Sequence, residues 1–250
     1  MPNTVKLSDR LKTIAGFIEK GATVADIGTD HGYLPAYLAQ TKHAGSIIAS
    51  DISAASLGSA QRTAIKHCVD EQIRFVAAPG LDGLSEESAD TIVIAGMGGE
   101  TIAGIVGKAP WTKRRGTTLV LQPQTKASAL CCWLSENGYA INEAALTRDK
   151  GRYYLVMRAE AENREQSRDA ALEAVQNASG EAGIATQYTA ENGPWMELLL
   201  FLKNKHDPLF AGYIKEQIAV TRHAAEAMKN AGAPEYAQAA KMLAGLLELA

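Results

Sequence analysis

The chain has 250 residues, of which 46% are apolar and 21% charged, a composition typical of globular proteins. Its formal net charge of −3 gives no overall sign of nucleic-acid binding, and no apolar run is long enough to span a membrane. The first residues show no signal-peptide pattern, and Cys68, Cys131 and Cys132 have neither a disulfide framework nor a metal-ligand spacing, so we expect a cytoplasmic protein with buried thiols and no metal.

Helices and strands are predicted to alternate along the first 137 residues. Apolar residues at helical spacing predict a helix over 7–18, capped by Ser8, ahead of a first strand at 22–27. Further helices are expected at 33–41, from Ser53 to about 68, at 100–108 and at 126–137, and further strands at 46–51, 73–77, 91–95 and 117–121.

A hairpin is predicted to close this pattern. The runs 139–147 and 152–159 flank Asp149-Lys150-Gly151, which is a turn signal between antiparallel strands. Alternation followed by a hairpin predicts an α/β fold with a doubly wound sheet of seven strands over residues 1–159.

The composition changes after residue 159. Residues 160–192 are rich in Ala, Glu, Gln, Asn and Ser and give little structural signal. Helical spacing over 206–230 and 234–249, interrupted at Gly232-Ala233-Pro234, predicts a helical hairpin or short coiled coil. We therefore expect a second, mainly helical domain over 160–250.

The turn after the first strand indicates a ligand site. Asp26 ends the strand, Gly28 and Gly32 follow, and Asp30 stands between the two glycines. A dinucleotide fingerprint needs G-x-G-x-x-G, which is absent, and a carboxylate at Asp30 would repel a pyrophosphate while tolerating a sulfonium cation. Asp51, 23 residues beyond Gly28, ends the second strand and suits hydrogen bonds to ribose hydroxyls. This spacing favours S-adenosylmethionine over a dinucleotide.

Positive charge is concentrated between residues 101 and 159. This stretch holds nine basic and three acidic residues. Lys113, Arg114, Arg115 and Lys126 occur without an acidic residue among them, which suits either a phosphate-contacting face or a solvated surface.

Several motifs together resemble the bacterial tRNA (adenine-22-N1)-methyltransferase family. They are Asp26-Ile27-Gly28-Thr29-Asp30-His31-Gly32, Ala49-Ser50-Asp51-Ile52, Asp82-Gly83-Leu84, Ile94-Ala95-Gly96-Met97-Gly98-Gly99 and Leu121-Gln122-Pro123. The resemblance implies a Rossmann-like fold with a C-terminal coiled coil that grips tRNA, S-adenosylmethionine as cofactor, and methylation at N1 of an adenine in the D-loop. The family usually has Asn where this chain has Gln124, and residues 160–190 match it poorly.

The resemblance also implies roles for individual residues. Asp30 would stabilise the positive charge that develops on the adenine, or else it would only shape the turn. His31, Gln122 and Gln124 would orient the base, or else have a structural role. The cofactor-binding residues would be Asp26, Gly28, Thr29, Asp51, Ile52, Asp82, Gly83, Gly96 and Met97. Lys113, Arg114, Arg115 and Lys126 would contact tRNA phosphates, and the base would leave its stack to reach the cofactor.

Two other functions fit the same sequence. A small-molecule methyltransferase would have this fold without an RNA partner, and a non-catalytic module could bind S-adenosylmethionine or RNA. The sequence leaves the oligomeric state open.

Overall fold

The structure, a computed structural model, describes residues 4–162 and 193–250. The chain divides into two compact units, residues 1–162 and 163–250. In the first unit the strands are β1 (Thr23–Ile27), β2 (Ser46–Asp51), β3 (Ile73–Ala77), β4 (Thr91–Gly98), β5 (Thr118–Thr125), β6 (Tyr139–Asp149) and β7 (Arg152–Ala161). The helices are α1 (Asp9–Gly16), α2 (Tyr33–Gln40), α3 (Ala54–Lys66), α4 (Gly99–Gly107) and α5 (Ala127–Glu136).

The seven strands form one sheet in the order β3-β2-β1-β4-β5-β7-β6. The first five strands are parallel, and β7 pairs antiparallel with both β5 and β6. The predicted Rossmann-like sheet and its closing hairpin are confirmed. Chain order reverses at β1, between β2 and β4, and open α/β sheets bind ligands beyond the carboxyl ends of their strands at such a point.

The caps and the buried strand follow the sequence prediction. The hydroxyls of Ser8 and Ser53 accept hydrogen bonds from the backbone N–H groups of Leu11 and Ser56, so each begins its helix as expected. Ile92-Val93-Ile94 of β4 is fully buried, as a strand covered on both faces should be.

Two strands are longer than predicted. β4 continues to Gly98 and β5 to Thr125, although glycine and proline there predict loops. The two segments pair with each other across register shifts, in which Ala95 faces Gln122 and Met97 faces Pro123. Mutual pairing therefore overrides weak local strand propensity.

The hairpin turn has a defined geometry. Lys150 and Gly151 have φ of +49° and +82°, and they join strands paired up to Asp149 and Arg152. Positive φ at both central residues is characteristic of the type I′ turn, whose twist matches that of the strands. The turn predicted at Asp149-Lys150-Gly151 is confirmed, and it fixes Lys150 at the tip of the hairpin.

The expectation of buried thiols is correct only in part. Cys131 is buried and Cys132 half-buried, but Cys68 is exposed. Cys68 follows the C-cap of α3 with φ of +58°, where the chain turns at the surface.

The second unit is helical over its described residues. Its helices are α6 (Gly193–Asn204), α7 (Phe210–Ala231) and α8 (Tyr236–Leu249). Gly232, with φ of +64°, ends α7 in a left-handed cap, and α8 then packs against α7, which confirms the predicted helical hairpin. Predictions for residues 163–192 lie outside the described residues. Over 4–162 and 193–250, no helix is both long and apolar enough to cross a membrane.

Candidate active site

A cleft of about 1100 Å³ opens at the carboxyl ends of the parallel strands. The turns after β1, β2, β3 and β4 line it, together with α1 and the tip of the β6–β7 hairpin. Eleven residues predicted from sequence meet there: Asp26, Gly28, Thr29, Asp30, His31, Asp51, Ile52, Asp82, Gly96, Met97 and Gln124. Motifs spread over about 100 residues thus converge on one cavity at the switch point.

The turn after β1 is held by backbone hydrogen bonds to β2. The N–H groups of Gly28 and Thr29 both donate to the carbonyl of Ser50, at 2.8 and 3.0 Å. The N–H of Asp30 donates to Asp51 Oδ2 at 3.2 Å, and Asp30 has a left-handed backbone with φ of +51°. The turn therefore places an aspartate in a conformation that usually favours glycine.

Asp26 is the buried acid of the cleft. Burial raises its pKa to about 6, the Thr29 hydroxyl and the Arg10 guanidinium act to lower it, and the Asp51 carboxylate acts to raise it. A second acid, Asp51, is half-buried, and its Oδ1 also accepts from the Ser53 N–H at 2.8 Å. Two carboxylates on adjacent strands favour a ligand that donates hydrogen bonds or carries positive charge.

Gly28 lies directly against the Met97 side chain. Its φ is +75°, and a Cβ built on it would lie 2.2 Å from Met97 Cε. A side chain at this position would strain the left-handed turn and displace the end of the Met97 side chain.

Two large apolar side chains are exposed in the cleft. Ile52 is 74% exposed and Tyr33 46% exposed, although both line the cavity. Apolar groups left open inside a cavity are typical of surfaces that a ligand covers. Near Tyr33, the His31 ring lies 6.1 Å from the Tyr33 ring, and His31 Nε2 lies 3.9 Å from Asp30 Oδ2.

Gln122 does not reach the cleft, which corrects the prediction that it contacts the base. Its side chain is fully buried within β5. Its amide Nε2 donates to the Pro123 carbonyl at 2.8 Å, and its Oε1 accepts from Arg10 Nη1 at 2.8 Å.

Arg10 is a cleft residue that sequence reasoning missed. Besides Gln122, its guanidinium packs over the Tyr154 ring at 5.7 Å and lies near Gly96, where a Cβ would be 3.5 Å from Nη1. The signal was present, since Arg10 follows Leu7 by three residues and so falls on the apolar face of the predicted helix. A cation on the apolar face of a helix needs a hydrogen-bond partner, which here is the side-chain amide of Gln122 in β5.

Of two further residues predicted to belong to the site, Gln124 lines the cleft and Gly83 does not. Gln124 lines the cleft, and its amide Nε2 would be 3.6 Å from a Cβ at Gly96. Gly83 stands outside the cavity wall beside Asp82, with φ of +74° and open space around it.

The predicted phosphate-binding cations lie outside the cleft wall. Lys113 Nζ lies 5.5 Å from the Tyr139 ring, Arg114 donates to the Glu86 carbonyl at 3.0 Å, and Lys126 pairs with Glu100. Arg115 is exposed beside them. The cations that do line the cleft are Lys6, Arg10, Lys108 and Lys150.

No cluster of three or more His, Cys, Asp or Glu side chains suited to a metal ion occurs among residues 4–162 and 193–250.

Known proteins share this architecture. A family model described as "Methyltransferase domain" matches residues 7–157. The tRNA (adenine(22)-N(1))-methyltransferase of Bacillus subtilis (strain 168) is 38% identical over 169 residues, which cover 67% of this chain and 70% of that protein. The crystal structure of the B. subtilis M1A22 tRNA methyltransferase TrmK superposes with a TM-score of 0.76 at 30% identity, covering 98% of this chain and 99% of that one. Streptococcus pneumoniae Sp1610 in complex with S-adenosyl-L-methionine gives a TM-score of 0.73 at 25% identity, with the same coverage.

The switch-point cleft, its acidic strand ends and the matching domain define a Rossmann-like, S-adenosylmethionine-dependent methyltransferase. Within that class, the 38% sequence identity to the B. subtilis enzyme over 67% of this chain identifies one family. The structural similarity to TrmK over 98% of the chain agrees with it. The chain belongs to the tRNA (adenine(22)-N(1))-methyltransferase family.

Proposed function

We propose that this chain transfers the methyl group of S-adenosylmethionine to N1 of adenine 22 in the D-loop of tRNA. One observation carries the proposal: a single cleft is lined by the acids suited to a nucleoside cofactor, Asp51 and Asp82, and by Asp30 and Gln124, which suit a base. The family to which the chain belongs supports this substrate over a small molecule.

The cleft fits the cofactor along its length. Asp51 would accept from the ribose hydroxyls, Ile52 would cover one face of the adenine, and Asp82 would accept from its exocyclic amine. The exposed Ile52 supports this placement, since it is an apolar surface that a ring would bury.

Arg10 is suited to the amino-acid end of the cofactor. Gln122 holds one edge of its guanidinium and Tyr154 supports its face, so the remaining N–H groups are available to a carboxylate. Preorganisation of this kind lowers the conformational entropy lost when the ligand binds.

The reaction needs alignment more than proton transfer. S-adenosylmethionine supplies an electrophilic methyl on sulfur, and adenine N1 has a free in-plane lone pair at neutral pH. When the N–C bond forms and the C–S bond breaks, positive charge moves onto the adenine. The Asp30 carboxylate, 71% exposed in the cleft, would accept from the adenine N6 amine and stabilise that charge, with Gln124 helping to orient the ring.

In our proposal, cofactor binding and tRNA binding belong to different domains. Residues 1–159 form the cofactor-binding domain, residues 160–250 form the helical domain that contacts tRNA, and the enzyme acts in the cytoplasm where tRNA is modified.

Two substitutions separate chemistry from cofactor binding. Asp30→Asn should leave the affinity for S-adenosylmethionine within about twofold while lowering kcat on tRNA about 10²-fold, because one charge-stabilising contact is lost. Asp82→Asn should do the opposite, weakening cofactor binding while kcat at saturating cofactor is largely kept. Isothermal titration and single-turnover methylation measure the two quantities, and an Asp30→Asn enzyme with wild-type kcat would remove Asp30 from the chemistry.

A further inference from the structure

Three lysines line the cleft beside the residues that we assign to the cofactor. Lys6 precedes α1, Lys108 caps the C-terminus of α4, and Lys150 stands at the tip of the β6–β7 hairpin. All three are exposed and line the same cavity, although they come from parts of the chain more than 40 residues apart. Among the described residues, none of their ammonium groups forms an ion pair.

The charge of the cofactor does not account for them. S-adenosylmethionine carries one carboxylate and two cationic groups, so further cations near it would be repelled. Arg10 already offers a preorganised partner for the single carboxylate. The same lining holds the carboxylates of Asp30, Asp51, Asp82 and Asp149, but none of them forms an ion pair with the three ammonium groups, which are therefore free to bind a second, anionic ligand.

We infer that Lys6, Lys108 and Lys150 form a cationic rim that binds the phosphates of the RNA strand on either side of the target adenine. This inference rests on the proposed function and names the part of the site that holds the RNA backbone. A base that enters the cleft must leave its stack, and its own phosphates remain outside, at the exposed edge where these lysines lie.

The type I′ turn strengthens the assignment of Lys150. A left-handed backbone at a lysine is uncommon, and here it presents the side chain from a rigid two-residue hairpin instead of a long loop. Each contact with a phosphate is ionic and independent of sequence, so the rim would position the strand while the cleft selects the base.

The test compares two triple variants with equal loss of charge. Lys6→Gln, Lys108→Gln and Lys150→Asn remove the rim, with Asn chosen because it tolerates the left-handed turn. Lys20→Gln, Lys66→Gln and Arg74→Gln remove three exposed cations outside the cleft wall. Binding to an unmodified tRNA transcript is measured by filter retention between 50 and 200 mM salt, on the order of the range in which phosphate contacts are sensitive.

The rim variant should bind tRNA at least tenfold more weakly, with the slope of log Kd against log salt reduced by about 2 to 3, and its affinity for S-adenosylmethionine should be unchanged. The outer variant should keep most of the wild-type slope. A rim variant with wild-type tRNA affinity and slope would overturn the inference. Failure of the wild-type enzyme to methylate the transcript that it binds would instead overturn the proposed function.

Discussion

Gly28→Ala tests the cleft at its tightest point. Gly28 has φ of +75°, and the new Cβ would lie 2.2 Å from Met97 Cε. The methionine end must move by about 1.2 Å to reach an ordinary contact of 3.4 Å. Since Met97 lines the cavity, this movement narrows the space in which we place the reacting end of the cofactor.

Gly28→Ala should have two effects, one on stability and one on cofactor binding. The left-handed backbone costs an alanine about 1–2 kcal/mol, which lowers the Tm by roughly 2–8 °C for a chain of this size. The displaced methionine should weaken S-adenosylmethionine binding at least tenfold, or by about 1.4 kcal/mol or more. The first effect is shared by any glycine with positive φ, whereas the second is specific to the cleft.

Gly138→Ala is the matched control. Gly138 has φ of +72° with open space around it, and it lies outside the cleft wall. Differential scanning fluorimetry should give similar Tm losses for the two variants, and isothermal titration should show weakened cofactor binding only for Gly28→Ala. Wild-type cofactor affinity in Gly28→Ala would refute the placement of the cofactor against Gly28 and Met97.

Two further predictions concern Arg10 and Asp26. Arg10→Met should raise the KM for S-adenosylmethionine at least tenfold, and Gln122→Leu, which removes one acceptor of the guanidinium, should raise this KM by less. Equal KM values in the wild type and both variants would exclude Arg10 from cofactor binding. Because burial raises the folded-state pKa of Asp26 to about 6 from 3.8, the folded chain retains a proton between pH 4 and 6 that the unfolded chain has lost. The stability contributed by Asp26 therefore falls as pH rises through this window, and Asp26→Asn should be more stable than wild type by up to about 3 kcal/mol at pH 7.5 and by nothing at pH 4, as measured by urea unfolding. A constant difference at both pH values would contradict the raised pKa.

The sequence predicted the parts of the site that lie within local motifs. Asp26, Gly28 and Asp51 carry signals that depend on strand ends and turns, and parallel strands bring their carboxyl ends together, so their convergence could be expected. The hairpin tip was also predictable, because Lys150-Gly151 separates two apolar runs.

The errors concern contacts between distant segments. β4 and β5 extend because they pair with each other, which local propensity does not report, and Gln122 is buried in the extended part of β5. The phosphate contacts expected of Lys113 and Lys126 from the charge pattern stay a prediction, and sequence alone does not show that Lys113 packs on Tyr139 and Lys126 pairs with Glu100. Arg10 and Lys6 join the cleft only because α1 packs beside the strand ends.

Methyl transfer to defined tRNA tests the central claim most directly. Labelled S-adenosylmethionine is incubated with the enzyme and an unmodified tRNA transcript, or with the same transcript carrying guanine at position 22, and the digested nucleosides are identified by mass spectrometry. We expect one N1-methyladenosine per molecule of the first transcript and none in the second. Equal labelling of both transcripts, or no labelling of either by an enzyme that binds the cofactor, would contradict that claim.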